Sequence, residues 1–396
     1  MKDDKQELII LALNSGSSSL KFGLYRVGLS KTESLLSGEA ESIGERASKF
    51  YAEGMRKKAL IDETVSIPNQ QDAIIRIRRL LEDYKMPAPA AIGHRIVHGG
   101  PKLRQHSLVD DEVLDQLEAA TAFAPLHTPS ALSVIRSAQE QFPRLPQVAC
   151  FDTTFHANLP DVARVLPIPK KLQSEGIQRY GFHGLSCESI VHQLGHDLPE
   201  RLIIAHLGNG ASVTAVKGGR SIDTSMGLTP SGGVIMGTRS GDLDPGVLVY
   251  LIREKKSDAS TLEELVDHRS GLLGISGISS DMRRLHDAAA TTADARLAIE
   301  MFCYSVRKQI AAMIAVLDGI DMIVFTGGIG ENDAEVRAAI CSGLSWTGVS
   351  LDDAQNRLAN NPLSDLASRV LVMVLASQED EQIARHTWAL WPRSLS

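Results

Sequence analysis

The feature that most constrains this chain is a short apolar run ending in a Gly/Ser-rich loop, and it occurs three times. Residues 8–13 (LIILAL) run into Asn14-Ser15-Gly16-Ser17-Ser18-Ser19 and then a second strand-like segment, LKFGLY. Residues 202–205 (LIIA) enter His206-Leu207-Gly208-Asn209-Gly210-Ala211-Ser212, followed by VTAV, while MIVF enters Thr326-Gly327-Gly328-Ile329-Gly330-Glu331-Asn332. Small residues let backbone N–H groups wrap an anion, and hydroxyls add donors without bulk, so three such loops point to a nucleotide held from several sides. Taken singly, each also fits an ordinary turn. Two of them are glycine hairpins in different halves of the chain, which suggests an internal duplication. GxxxxGK[ST], GxGxxG and GxSxG are all absent, which argues against a P-loop NTPase, a Rossmann dehydrogenase and an α/β-hydrolase.

The chain has 396 residues, 43% of them hydrophobic and 22% charged, the composition of a globular protein long enough for about two domains. A net charge of −7, with no dense Lys/Arg run among aromatics, speaks against a nucleic-acid partner. Cys150, Cys187, Cys303 and Cys341 are scattered without zinc-ligand spacing, as expected in a reducing compartment. The first apolar run is short and follows an acidic start, MKDDKQE, which suits neither a signal peptide nor a membrane span. A cytoplasmic protein without membrane contact is expected.

Along the chain, the spacing of Ile74, Ile75, Leu80 and Leu81 predicts a helix over 70–84. A buried strand is expected in AAIGHRIVHGG, helices over 110–122 and 129–141, and a strand in PQVACFD. A Pro-rich link, LPIPK, leads to a second body with a long helix at 293–317, and the chain ends as a strand followed by a helix. Strands alternating with helices give an α/β fold in two lobes: 1–152 plus 379–396, and 153–378.

Arg95 lies in IGHRIVHGG among apolar and glycine neighbours, where it is either one half of a structural ion pair or an anion receptor. Arg239, in GVIMGTRSGDLDPG, is placed alike in the other lobe, and the two could converge on one cleft. His94, His98, His127, His156, His183 and His206 all stand in short motifs flanked by Gly, Pro or aromatics, and spacing does not separate packing from chemistry among them. Asp152 closes the strand VACFD, where open α/β sheets place ligands; it is a Mg²⁺-side acid or a turn residue. Asp281 and Glu379 both also read as helix-start residues.

Together these segments resemble the acetate kinase family, in LNSGSSSLKFGLY, GHRIVHGG, FAPLH, CFDTTFH, RYGFHG, AHLGNGASV, DTSMGLTP, MGTRSGDLDPG and FTGGIGEN. The resemblance spans the chain and implies membership of the acetate and sugar kinase, heat-shock chaperone and actin superfamily, with two duplicated ribonuclease-H-like lobes and a nucleotide cleft between them. It further implies ATP and acetate as substrates, Mg²⁺ (or Mn²⁺) as cofactor, and a homodimer.

Carried over, the resemblance places Asn14, Ser17, Ser19 and Lys21 in a first phosphate loop and His206, Leu207, Gly208, Asn209 and Gly210 in a second. Asp281, Met282, Arg283, Gly328, Ile329, Gly330 and Asn332 fall near the nucleoside. Asn14, Asp152 and Glu379 fall at the metal, and Asp152, Arg95, His183 and Arg239 at the reacting centre. Val97, Leu126, Phe182 and Pro230 would join Arg95 in an acetate pocket. The chain departs from the family pattern at Cys187, where a histidine is usual, at Ser377-Gln378-Glu379-Asp380, where TNEE is usual, and at Thr128, where Asn is frequent. The implied reaction is reversible in-line phosphoryl transfer from ATP to acetate. A short-chain carboxylate kinase such as a propionate kinase, a sugar kinase using Asp152 as base, and a non-catalytic nucleotide switch are the other readings.

Overall fold

A computed structural model describes residues 7–16, 18–125 and 127–391; Ser17 and Leu126 of the expected loop and pocket lie outside them. The chain divides into two compact units, Met1–Ala157 with Gln378–Ser396, and Asn158–Ser377. The sequence reading placed these divisions at 152 and 379.

The first unit is built on strands β1 (Leu8–Ser15), β2 (Leu20–Val27), β3 (Thr32–Glu41), β4 (Ser48–Gly54), β5 (Lys58–Val65), β6 (Ala91–Ile96), β7 (Ser107–Leu108) and β8 (Gln147–Phe151). They form one sheet in the order β5-β4-β3-β2-β1-β6-β8-β7. β1 reads LIILAL without polar alternation because both of its faces are covered, as in a central parallel strand. Ile10, Leu11, Ala12 and Leu13 are at most 1% exposed. Ile74, Ile77 and Leu81 of helix Gln70–Asp83 join Val134 and Ala138 of helix Thr128–Gln141 in the core over one face. Helix Glu379–Leu390 packs on β1, β2, β6 and β8 over the other. Gly93 permits that approach: a Cβ there would fall on Thr387 Oγ1 and 2.6 Å from Ile383 Cγ2.

The second unit holds β9 (Arg201–Leu207), β10 (Ala211–Lys217), β11 (Arg220–Thr224), β12 (Met322–Thr326) and β13 (Leu371–Val374), in the order β11-β10-β9-β12-β13. The helix Ala293–Leu317 packs on β9 and β10.

The duplication suggested by the loops is present in the topology. In the first sheet β1 is antiparallel to β2 and β2 to β3, while β1 is parallel to β6 and β6 to β8; β9, β10, β11, β12 and β13 repeat that pattern in the second. The β1–β2 and β9–β10 loops therefore occupy equivalent positions. The third loop differs from the turn that its composition suggests. The chain passes from β12 straight into helix Gly327–Asn332, through Gly327 at φ +78°, where a Cβ would meet Leu207 O at 2.8 Å.

Candidate functional site

In the first unit the parallel register of β1, β6 and β8 brings their C-terminal ends together, pairing Leu13 with His94 and Ile96 with Phe151. Asn14, Arg95 and Asp152 follow at or just past these positions, beside the start of helix Glu379–Leu390. Arg95 donates through Nε (2.9 Å) and Nη2 (2.6 Å) to Asp152 Oδ2, and through Nη1 (3.1 Å) to Asn14 Oδ1. Asn14 Nδ2 in turn donates to Asp380 Oδ1 at 2.9 Å and to Glu379 Oε2 at 3.2 Å. The Asp152 side chain is 1% exposed and that of Arg95 19%. Burial works against the Arg95 charge, but Asp152, with Glu379 and Asp380, outweighs it and holds the guanidinium above its ordinary value. Burial also pushes the Asp380 carboxyl up, against the hydrogen bond from Asn14.

Lys21 pairs opposite Asn14 on β2, exposed, and Ser19 O accepts from Gly16 N at the hairpin turn. Val97, half-buried, follows β6 directly. Of the two expectations for Arg95 the structure shows the ion-pair partner, and among the described residues three of its five N–H groups are engaged.

The second unit carries a separate cluster. His183 begins helix Gly184–Leu194 in the left-handed conformation, φ 59°. Its Nδ1 lies 2.9 Å from Ser212 Oγ, and its ring stacks on His206 at 4.1 Å between centroids. His206 Nδ1 lies 2.8 Å from Ser186 Oγ. Arg239 donates to Pro230 O at 3.0 Å. A methyl on Gly210 would stand 3.2 Å from His183 Nε2 and 3.3 Å from Arg239 Nη1, so the second loop runs against both side chains. Phe182 is buried beneath and Pro230 is half-buried.

Beyond this loop opens a cavity of 820 Å³, lined by Gly208, Asn209, Asp281, Met282, Arg283, Gly328, Ile329 and Asn332, together with Ser280, His286, Asp287, Asp333, Ala334 and Glu335. Leu207 and Gly330, expected at the nucleotide, are not among its lining residues. Leu207 is fully buried at the end of β9, and Gly330 packs on Phe325 and Ala205. Asp281 both caps helix Met282–Ala289, accepting from Arg283 N at 3.0 Å, and pairs with the Arg283 guanidinium at 2.8 Å. That hydrogen bond holds the Asp281 carboxyl below its ordinary range.

Of the other histidines, His94 is buried against Gln147, 2.7 Å away, and burial pushes it down to about 4. His98 Nδ1 accepts from Gly100 N, and His156 is buried. His127 precedes helix Thr128–Gln141 as its N-cap residue. Cys187 is fully buried, its amide donating to His183 O and its Sγ 3.8 Å from Thr214 Oγ1. Asp380, Ser186, His286 and Asp333 were not anticipated, and Ser212 was read only as part of the second loop, without its contact to His183. The only sequence signal for Asp380 was its place beside Glu379.

Residues 9–385 match the Acetokinase family. The acetate kinase of Methylocella silvestris is 43% identical over 96% of this chain and 97% of its own length. Among solved structures, a propionate kinase from Francisella tularensis superposes with a TM-score of 0.89 at 38% identity, covering 96% of this chain and 98% of its own. The Porphyromonas gingivalis acetate kinase gives 0.86 at 34%, covering 97% and 100%. With its order of strands, its loops and this similarity along nearly the whole length, the chain belongs to the acetokinase family.

Proposed function

We propose that the chain reversibly transfers the γ-phosphoryl group of ATP to acetate, giving ADP and acetyl phosphate. The observation that carries the reading is the family match over residues 9–385. A carboxylate is already nucleophilic at neutral pH, so the acceptor needs no general base. The enzyme's task is to bring two anions together and stabilise the charge spread over the phosphoryl oxygens.

Arg95 anchors the acetate carboxylate with the N–H groups left over from Asp152 and Asn14. His183 and Arg239, poised on Gly210, donate to the equatorial phosphoryl oxygens. Asn209 and Gly210 of the second loop hold phosphates, and the cavity beside Gly208 and Gly328 takes the nucleoside. Asn14, Asp152 and Glu379 would hold Mg²⁺ (or Mn²⁺), directly or through water. Their oxygens suit a hard cation, and the hydrogen-bonded set pairs three carboxyl groups (Asp152, Glu379, Asp380) with one guanidinium, an excess of acids that a cation would offset. When bound, the ion neutralises phosphate charge.

Coupling ATP formation to ADP and acetyl phosphate tests the reading in the reverse direction. Acetyl-phosphate-dependent ATP supports it, and none in folded protein overturns it. The similarity to a propionate kinase favours a second reading with the same chemistry, a short-chain carboxylate kinase whose acyl pocket admits propionate.

The chain also fits a homodimer. Helix Pro245–Lys255 has no buried residue and exposes Val247, Val249, Tyr250 and Ile252. Sedimentation of wild type against Ile252→Glu tests this, a dimer that the charge leaves intact counting against that face. Among the described residues no helix is long and apolar enough to cross a membrane, and all four cysteines are buried thiols, in keeping with a cytoplasmic setting.

A further inference from the structure

We propose that Asp380 is a positioning residue of the phosphoryl-transfer centre, holding the Asn14 amide in the one orientation that lets Asn14 fix the Arg95 guanidinium. The inference rests on the reading of Arg95 as the acetate anchor.

An asparagine amide has a donor end and an acceptor end of nearly the same shape. Here the acceptor end, Oδ1, faces Arg95 Nη1 at 3.1 Å, and the donor end, Nδ2, faces Asp380 Oδ1 at 2.9 Å and Glu379 Oε2 at 3.2 Å. Turning the amide over would set an N–H against the guanidinium and an oxygen against two carboxylates, so both sides would become repulsive. The acids therefore select the orientation, and Asp380 makes the shorter contact.

Asp380 is itself held in place. It is the second residue of helix Glu379–Leu390, whose Ile383, Ala384 and Thr387 are buried against the sheet that carries Asn14 and Arg95. The planar guanidinium is then gripped along two edges, Nε and Nη2 on Asp152 and Nη1 on Asn14, so its remaining hydrogens have a fixed direction. Gripped on the Asp152 edge alone, it would swing about that contact. Glu379 would also help to hold the cation, whereas Asp380 is not among the residues assigned to it, so its contact with Asn14 serves the amide alone.

The test is a double-mutant cycle in the full-length protein: Asp380→Ala, Asn14→Ala and the pair, with Asp380→Asn alongside. For each variant kcat, KM for acetate, the Mg²⁺ concentration for half-maximal rate and the thermal unfolding midpoint are measured. Asp380→Ala should lower kcat/KM for acetate about tenfold, as a loosened reactant anchor does. The double variant should be no worse than Asn14→Ala alone, because both changes break the same chain of contacts. Asp380→Asn keeps an acceptor oxygen and loses the charge, so it should retain most activity with an unchanged Mg²⁺ requirement. Additive losses overturn the proposal. So does an Asp380→Asn variant as impaired as Asp380→Ala with a raised Mg²⁺ requirement, which would make Asp380 a cation ligand. If Asp380→Ala does not fold, Asp380→Ser, too short to reach Asn14, takes its place in the cycle. Wild-type turnover in Arg95→Ala would instead remove the underlying reading, an outcome distinct from either.

Discussion

Replacing Gly210 by alanine inserts a single methyl against the two side chains assigned to the phosphoryl oxygens. Its Cβ would stand 3.2 Å from His183 Nε2, 3.3 Å from Arg239 Nη1 and 3.5 Å from His183 Cε1. The first two separations fall inside the roughly 3.5 Å at which non-bonded attraction is best. Neither neighbour can retreat freely, because His183 is tied to Ser212 and stacked on His206, while Arg239 Nη1 is bonded to Pro230 O. Gly210 is not in the left-handed region, so the substitution adds no backbone strain. Overpacking should cost about 1 kcal/mol, the low end for an added methyl, and lower the melting temperature by about 2–4 °C. The larger effect is on rate. A displacement of a few tenths of an ångström at two transition-state donors should reduce kcat about tenfold. Acetyl hydroxamate formation at saturating ATP and acetate, with a thermal melt on the same sample, measures both. An unchanged kcat in the folded variant would refute the placement of His183 and Arg239 at the second loop.

Arg239→Ala should lower kcat by roughly a hundredfold, as for one lost donor to developing charge, with little change in melting temperature; steady-state kinetics on folded protein check it. His94 is held by burial at about 4, below the ordinary value of about 6.5, so the unfolded chain takes up its proton first. Its contribution is complete above pH 6.5 and is lost as pH falls toward 4, about 3 kcal/mol in all; urea unfolding across that range should steepen with acid in wild type and flatten in His94→Asn. Val97→Ala should raise kcat/KM for propionate and butyrate relative to acetate, a modest shift because a methylene is worth about 1–3 kcal/mol in an apolar pocket; unchanged ratios in a substrate panel would exclude Val97 from the acyl wall.

What the sequence made legible was local. The unbroken apolar run of β1, the periodic residues of helix Gln70–Asp83 and the long helix Ala293–Leu317 each show their burial pattern directly. Boundaries were less so: the segment read as a helix over 110–122 ends at Ala119 and tightens into a 3₁₀ turn, Ala120–Phe123. The third loop looked like a turn because glycines mark turns and helix starts alike, and only the backbone at Gly327 separates them. Motifs carried Asn14, Arg95 and Asp152 one by one, but not the hydrogen bonds that join them. Asn14 meets Asp380 across 366 positions of chain, a pairing that no local pattern encodes. Ser212, read as the end of the second loop, stands instead in β10, where alternation sends its hydroxyl to His183.

The most direct test of the account is a hydroxylamine trap run with ATP, Mg²⁺ and acetate, propionate, butyrate or no acid, with ADP measured in parallel. ADP release should depend on the carboxylate, with one acyl hydroxamate for each ADP and the highest kcat/KM with acetate. ADP release that proceeds equally without any acid, or that yields no hydroxamate, would contradict it.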